Sequence, residues 1–191
     1  MPRTASLTRR TKETEITLSL SLDGGKTDID TGIGFFDHML TALAVHGGLG
    51  LTVKAKGDLN VDGHHTVEDV GLVLGQALAE ALGDKAGIAR FGQARVPMDE
   101  ALADAALDLA GRPCLRFDVP VPQARAGDYD TCLTEEFWRA VCQKAGLTLH
   151  LSAYGGNAHH VTEAVFKATA RALRQAVKAE GGGIPSTKGV L

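Results

Sequence analysis

Apolar residues recur at three- and four-residue steps in several stretches of the chain, and they alternate with polar residues in the segments between. Val67, Val70, Leu74, Leu78 and Ala81 share one helical face and predict a helix over about 65–82. Val161, Val165, Ala168, Ala172 and Ala176 predict a second over about 160–179. Asp62 and Gly83 stand where the first helix should begin and stop, and the glycines at 181–183 where the second should end. The segments before these helices, "LGLTVKAKGDLNV" and "GLTLHLSAY", alternate as half-buried strands do. Each strand follows a further helix-like stretch, "FFDHMLTALAVHGG" in one case and "CLTEEFWRAVCQKAG" in the other. "TEITLSLSL" and "DAALDLAGRPCLRFDV" supply earlier strands.

The same order of elements therefore occurs twice. This predicts an α+β fold of duplicated half-domains. Each is a mostly antiparallel sheet with helices on one face, and the helices pack between the two sheets. The division falls in "FGQARVPMDEA", giving halves 1–93 and 94–191 that together form one unit. Length agrees, since 191 residues suit one domain or two small halves sharing a core.

Composition narrows the class. Apolar content is 44% and net charge is −3, so neither nucleic acid nor an anionic membrane surface is indicated as a partner. No apolar run reaches membrane-spanning length, and the polar start "MPRTASLTRRTKETEI" lacks the apolar middle of a signal peptide. Cys114, Cys132 and Cys142 show no metal-type spacing and read as buried small apolar residues of a cytoplasmic protein.

The chemistry lies at the helix starts. "HHTVE" places His64, His65 and Glu68 at the start of one long helix, and "HHVTE" places His159, His160 and Glu163 at the start of the other. Residues three and four apart share a helical face, so each glutamate can reach both histidines. Adjacent histidines diverge by about 100° around the helix, so the two of a pair fit two different ions, or one ion here and one on a neighbouring chain, better than a single ion. Imidazole with carboxylate suits Mn, Fe, Co or Zn, and the lack of thiolate argues against a structural zinc cluster. His38 in "FFDHML" and Glu136 in "TEEFW" occupy matching places in the preceding helices and offer one further ligand per half. Two ions per chain follow. A lone histidine pair on a solvated helix end would be unremarkable; the repetition is what counts. His150 in "LTLHLS" reads as a strand residue without metal.

A second set is basic. Lys167 follows Glu163 by one turn, Arg90 stands in "GIARFG" and Arg112 in "LAGRPC". The tail "GIPSTKGVL" offers Ser186, Thr187 and Lys188, able to wrap an anion with hydroxyls, amides and a point charge. A solvated Glu–Lys pair and a mobile tail are the plain alternatives.

In order along nearly the whole chain, "GIGFFDHML", "DGHHTVEDVGLVLGQAL", "GIARFG", "PMDEAL", "DLAGRP", "LTLHL", "HHVTEAVFKATARALRQAV" and "IPSTKGVL" resemble the imidazoleglycerol-phosphate dehydratase family, in its form without a fused phosphatase. The resemblance implies a hydro-lyase of histidine biosynthesis that converts imidazole glycerol phosphate to imidazole acetol phosphate. It implies two Mn2+ per subunit and a homo-24-mer with metal sites between subunits. It maps the metal ligands to His38, His64, His65, Glu68, His159, His160 and Glu163. It maps substrate contacts to Glu13, His38, His46, Arg90, Arg112, Lys167, Ser186, Thr187 and Lys188. Glu13, His65 and Glu163 are the implied catalytic residues, with Glu13 as the carboxylate outside the clusters that moves a proton. Two metals on the two ring nitrogens would hold the substrate ring as imidazolate, which expels the adjacent hydroxyl. Two positions depart from the family pattern: Gly34 stands where many relatives have Pro, and Glu136 where many have His.

Two readings from other classes compete. A metal-storage shell has no use for Arg90, Arg112 and "PSTK", and a metal-dependent phosphohydrolase would attack phosphorus instead of the ring side chain.

Overall fold

Alternation in "TEITLSLS" buries Ile16, Leu18 and Leu20 and turns the intervening residues outward, and the segment forms a strand. The computed structural model describes residues 3–191. In chain order, β1 (Thr4–Arg10), β2 (Thr14–Ser21), β3 (Thr27–Asp30), α1 (Gly34–Gly47), β4 (Gly50–Gly57) and α2 (His64–Leu82) make the first half. The second half comprises β5 (Phe91–Met98), β6 (Ala101–Asp108), β7 (Cys114–Asp118), a short ribbon of β8 (Arg125–Ala126) and β9 (Tyr129–Asp130), α3 (Leu133–Ala145), β10 (Thr148–Tyr154) and α4 (Ala158–Ala176).

The two sheets have one topology. The first runs β1-β2-β4-β3 and the second β5-β6-β10-β7, each with two antiparallel pairings and one parallel pairing at the end. The ribbon β8–β9 has no counterpart among the described residues of the first half. Residue 93 falls inside β5, which pairs with β6 along its whole length, so the second sheet begins at Phe91.

The duplication gives residue equivalences. Thr14 and Ala101 open β2 and β6, so Glu13 corresponds to Glu100 (101 − 14 = 87 = 100 − 13). Gly48 and Gly146 cap α1 and α3 in the left-handed conformation, so His38 corresponds to Glu136 (146 − 48 = 98 = 136 − 38). His64 and His159 lie at the starts of α2 and α4.

Packing explains the layers. α2 lies on β1 and β2 and against α3, while α4 lies on β5 and β6 and against α1. Each long helix thus covers its own sheet and pairs with the short helix of the other half, leaving four helices between two sheets. Phe36, Met39, Val67, Val70, Phe137, Val165 and Phe166 are fully buried there in one continuous core. Each such side chain contributes about 1.5–3 kcal/mol of burial free energy. Gly71 and Gly75 let α2 lie close on α3: a Cβ at Gly71 would sit 2.8 Å from the Phe137 carbonyl oxygen, and one at Gly75 2.6 Å from that of Val141.

Of the three cysteines expected to be buried, Cys142 is, but Cys114 and Cys132 are exposed. Helix ends also differ in detail from the expected ones. Gly63, not Asp62, is the N-cap of α2, and the Asp62 carboxylate accepts from the His64 amide at 2.8 Å. α4 stops at Ala176, well before the glycines, because the chain leaves the helix to bridge the 87–90 segment: Ala89 donates to the Lys178 carbonyl and Arg90 to that of Ala176.

Candidate active site

At the start of α4, Asn157 accepts from the amides of His159 and His160, which fixes the first turn. His159 and Glu163 then share a face, with His159 Nε2 3.1 Å from Glu163 Oε2. α1 brings His38 to the same oxygen at 3.5 Å, with its ring 5.6 Å from that of His159. Their donor atoms lie within 4.8 Å of one another, the geometry of a metal-ligand group. The Glu163 side chain is only 8% exposed, and its other oxygen takes Lys167 Nζ at 2.7 Å. Burial pushes the Glu163 carboxyl up, but Lys167, His38 and His159 outweigh it and hold it below its ordinary range. His46, one helix end away, is pushed down by burial and by the nearby cations Lys167 and Arg171. Lys167 therefore belongs with the imidazole–carboxylate group.

The equivalent group at the start of α2 is looser. His64 Nε2 lies 3.6 Å from Glu68 Oε2, and both are half exposed. Glu136, which takes the place of His38, does not close this group; it sits 3.7 Å from Arg139 on its own helix. Among the described residues, His38, His159 and Glu163 make up the metal-type group found.

The second histidine of each pair points elsewhere, as helical geometry requires. The rings of His64 and His65 are 6.1 Å apart at 88°, and those of His159 and His160 6.1 Å at 80°. His65 Nδ1 lies 3.0 Å from Asp58 and 3.9 Å from Glu13, and His160 Nδ1 lies 2.7 Å from Glu100. These carboxylates raise both histidines, Asp58 first for His65 and Glu100 first for His160. Glu13 is brought there by Asp69, a buried acid on α2. Asp69 accepts from Thr14 Oγ1 and from Arg9 Nε at 3.0 Å, tying the β1–β2 turn onto the helix. Asp58, Asp69 and Glu100 were not among the sequence candidates. Glu100 lies in the quoted "PMDEAL", but nothing in the sequence pairs it with His160.

The basic set assembles at the opposite end of α4. Arg90, Arg112, Pro185, Ser186, Thr187 and Lys188 line a groove of about 740 Å³. Arg90 has a left-handed backbone, φ 71°, and its guanidinium holds both oxygens of Asp108 at 2.7 and 3.0 Å and the Pro185 carbonyl at 2.7 Å. Arg112 is 3.9 Å from the same carboxylate. His150 lies exposed on β10, in the outer face of its sheet and apart from both histidine pairs.

A duplicated α+β sandwich whose long helices begin in imidazole and carboxylate, with a basic groove at one helix end, offers ligands fit for a metal and a groove fit for an anion. The sequence profile of imidazoleglycerol-phosphate dehydratase matches residues 31–173, and the chain belongs to that family of hydro-lyases. It is 63% identical over 196 residues to the imidazoleglycerol-phosphate dehydratase of Acidiphilium cryptum, covering all of both chains. It is 57% identical to that of Methanococcoides burtonii over 190 residues, 99% of this chain and all of the relative. The crystal structure of the Staphylococcus aureus enzyme superposes with a TM-score of 0.85 at 42% identity, covering 92% of this chain and 99% of the other. That of the Pyrococcus furiosus enzyme also gives 0.85, at 40% identity, over 97% of this chain and all of the other.

Proposed function

We propose that this chain removes water from D-erythro-imidazole glycerol phosphate to give imidazole acetol phosphate, as a cytoplasmic enzyme of histidine biosynthesis. The observation that carries this reading is the duplication itself. Two equivalent imidazole–carboxylate helix starts supply one set of ligands for each nitrogen of a single substrate ring.

The donors fit a divalent cation of the manganese kind, because imidazole nitrogen and carboxylate oxygen converge without thiolate. His38, His159 and Glu163 would hold one Mn2+, and His64, Glu68 and Glu136 contribute to a second. His65 and His160 complete sites of neighbouring chains. Bound there, the cations would draw charge from the ring nitrogens and favour the ring anion that expels the neighbouring hydroxyl. Glu13, half exposed beside His65, moves the proton between carbon and solvent. Loss of hydroxide and of the next carbon-bound proton leaves an enol, which becomes the ketone. Arg90, Arg112, Ser186, Thr187 and Lys188 anchor the phosphate and hold the ring side chain in register.

Distance supports assembly. Arg90 is bonded to Ala176, and the helix rises about 25 Å between His159 and Ala176. The substrate spans only about 7 Å from ring to phosphorus. The phosphate groove of one copy must therefore serve the metal ligands of another, which a homo-24-mer provides.

The test is to incubate the manganese-loaded protein with the substrate and analyse products. Ketone supports the proposal. Inorganic phosphate would indicate a phosphohydrolase, and neither product a storage protein. Light scattering should also show the particle breaking down on chelation, since metal bound between chains stabilises the assembled state.

A further inference from the structure

His65 and His160 each present one ring nitrogen to a carboxylate of their own chain. Both oxygens of Asp58 face His65 Nδ1, at 3.0 and 3.2 Å. Asp58 is held in turn by a tight turn in which its carbonyl accepts from the Val61 amide. Glu100 divides its oxygens: one takes His160 Nδ1 at 2.7 Å, the other the Gly156 amide at 3.1 Å. A carboxylate that accepts from Nδ1 keeps the proton there and leaves the Nε2 lone pair outward. His160 Nε2 faces the exposed Asp99 at 3.7 Å.

The duplication gives this arrangement a second meaning. Glu100 and Glu13 are equivalent residues, one before β6 and the other before β2. Both oxygens of Glu100 are engaged, one by its histidine and the other by the Gly156 amide. Glu13 stays 3.9 Å from His65, because Asp58, from the loop between β4 and α2, takes that place.

We infer that Asp58 and Glu100 are positioning residues that fix the Nε2-ligating tautomer of His65 and His160, and that Asp58, by occupying His65, frees Glu13 for proton transfer. The inference rests on the manganese reading above.

Manganese alone is the probe. Free Mn2+ is followed by electron paramagnetic resonance as manganese is titrated into the whole chain stripped of metal. The wild type should show two tight ions per chain. Asp58→Asn and Glu100→Gln keep size, but their amides can donate to Nδ1 and so favour the wrong tautomer. Each should weaken one of the two ions by about 10–100-fold and leave the other alone. Glu13→Gln should keep both ions at wild-type affinity while turnover is lost. Wild-type affinity for both ions in either positioning variant overturns the inference, as does equal weakening of both ions, the mark of general damage. Weakened manganese binding in Glu13→Gln overturns the division of labour. A wild type that binds no manganese instead refutes the functional reading and the inference with it.

Discussion

Replacing Gly71 by Ala sets two effects against each other. Helix propensity alone favours alanine by about 1 kcal/mol. Packing opposes it. The new Cβ would lie 2.8 Å from the Phe137 carbonyl oxygen and 2.9 Å from the Ala140 Cβ, where ordinary contact begins at 3.4 Å. Neither neighbour is the end of a flexible chain, so α3 must move out by about 0.6 Å at this point, the shortfall to ordinary contact. Overpacking of this kind costs about 1–3 kcal/mol, which exceeds the propensity gain at most of that range. A net loss of about 1 kcal/mol should lower the apparent Tm by about 2–4 °C in a chain of this size. The measurement is a thermal melt of chelated protein at fixed concentration, so that metal and assembly do not mask the difference. A Tm above the wild type would refute the reasoning and show that α2 and α3 separate freely.

Other outcomes follow from the same geometry. In the wild type the lowered Glu163 carboxyl adds stability that is present above the unfolded value and lost as pH falls through the folded one. Lys167→Met removes the main counter-charge, burial then raises Glu163, and chelated protein should lose stability relative to wild type as pH rises from about 4 to about 7; parallel melting profiles would contradict this. Arg112→Ala and Lys188→Ala should raise KM strongly, lower kcat if the phosphate orients the ring, and leave manganese content unchanged; lost metal or normal kinetics in both would contradict the groove assignment. Glu136→Gln should reduce occupancy at one of two manganese sites and lower turnover, and two full sites with unaltered activity would show Glu136 to be a solvated acid near a helix start.

The helices were legible because each carries an apolar face over several turns, and the two histidine pairs because their spacing repeats. β1 was not legible: of its seven residues only Ala5 is buried and Leu7 half-buried, an alternation too short to mark a strand. β5 buries only Gly92 and half-buries Ala94, Val96 and Met98, so the segment reads as a boundary although it pairs fully with β6. The end of α4 was misplaced because it depends on hydrogen bonds to residues 87–90, which lie far away in sequence. The histidine–glutamate clusters were visible in the sequence, but the carboxylates that meet His65 and His160 were not. Asp58, Asp69 and Glu100 are ordinary acids until the sheets bring them to the helix starts.

The length of α4 has a genetic consequence. On the proposed reading, which puts phosphate anchor and metal ligands at opposite ends of one helix, a working site draws on two copies of the chain. An Arg112 variant and a His159 variant, each inactive alone, carry damage in different contributions. Mixed particles formed from equal amounts of the two would hold both intact contributions at roughly a quarter of their sites by random pairing. Two defective alleles expressed together would then restore growth where neither does alone, and a single inactive allele would spoil sites built largely from healthy subunits.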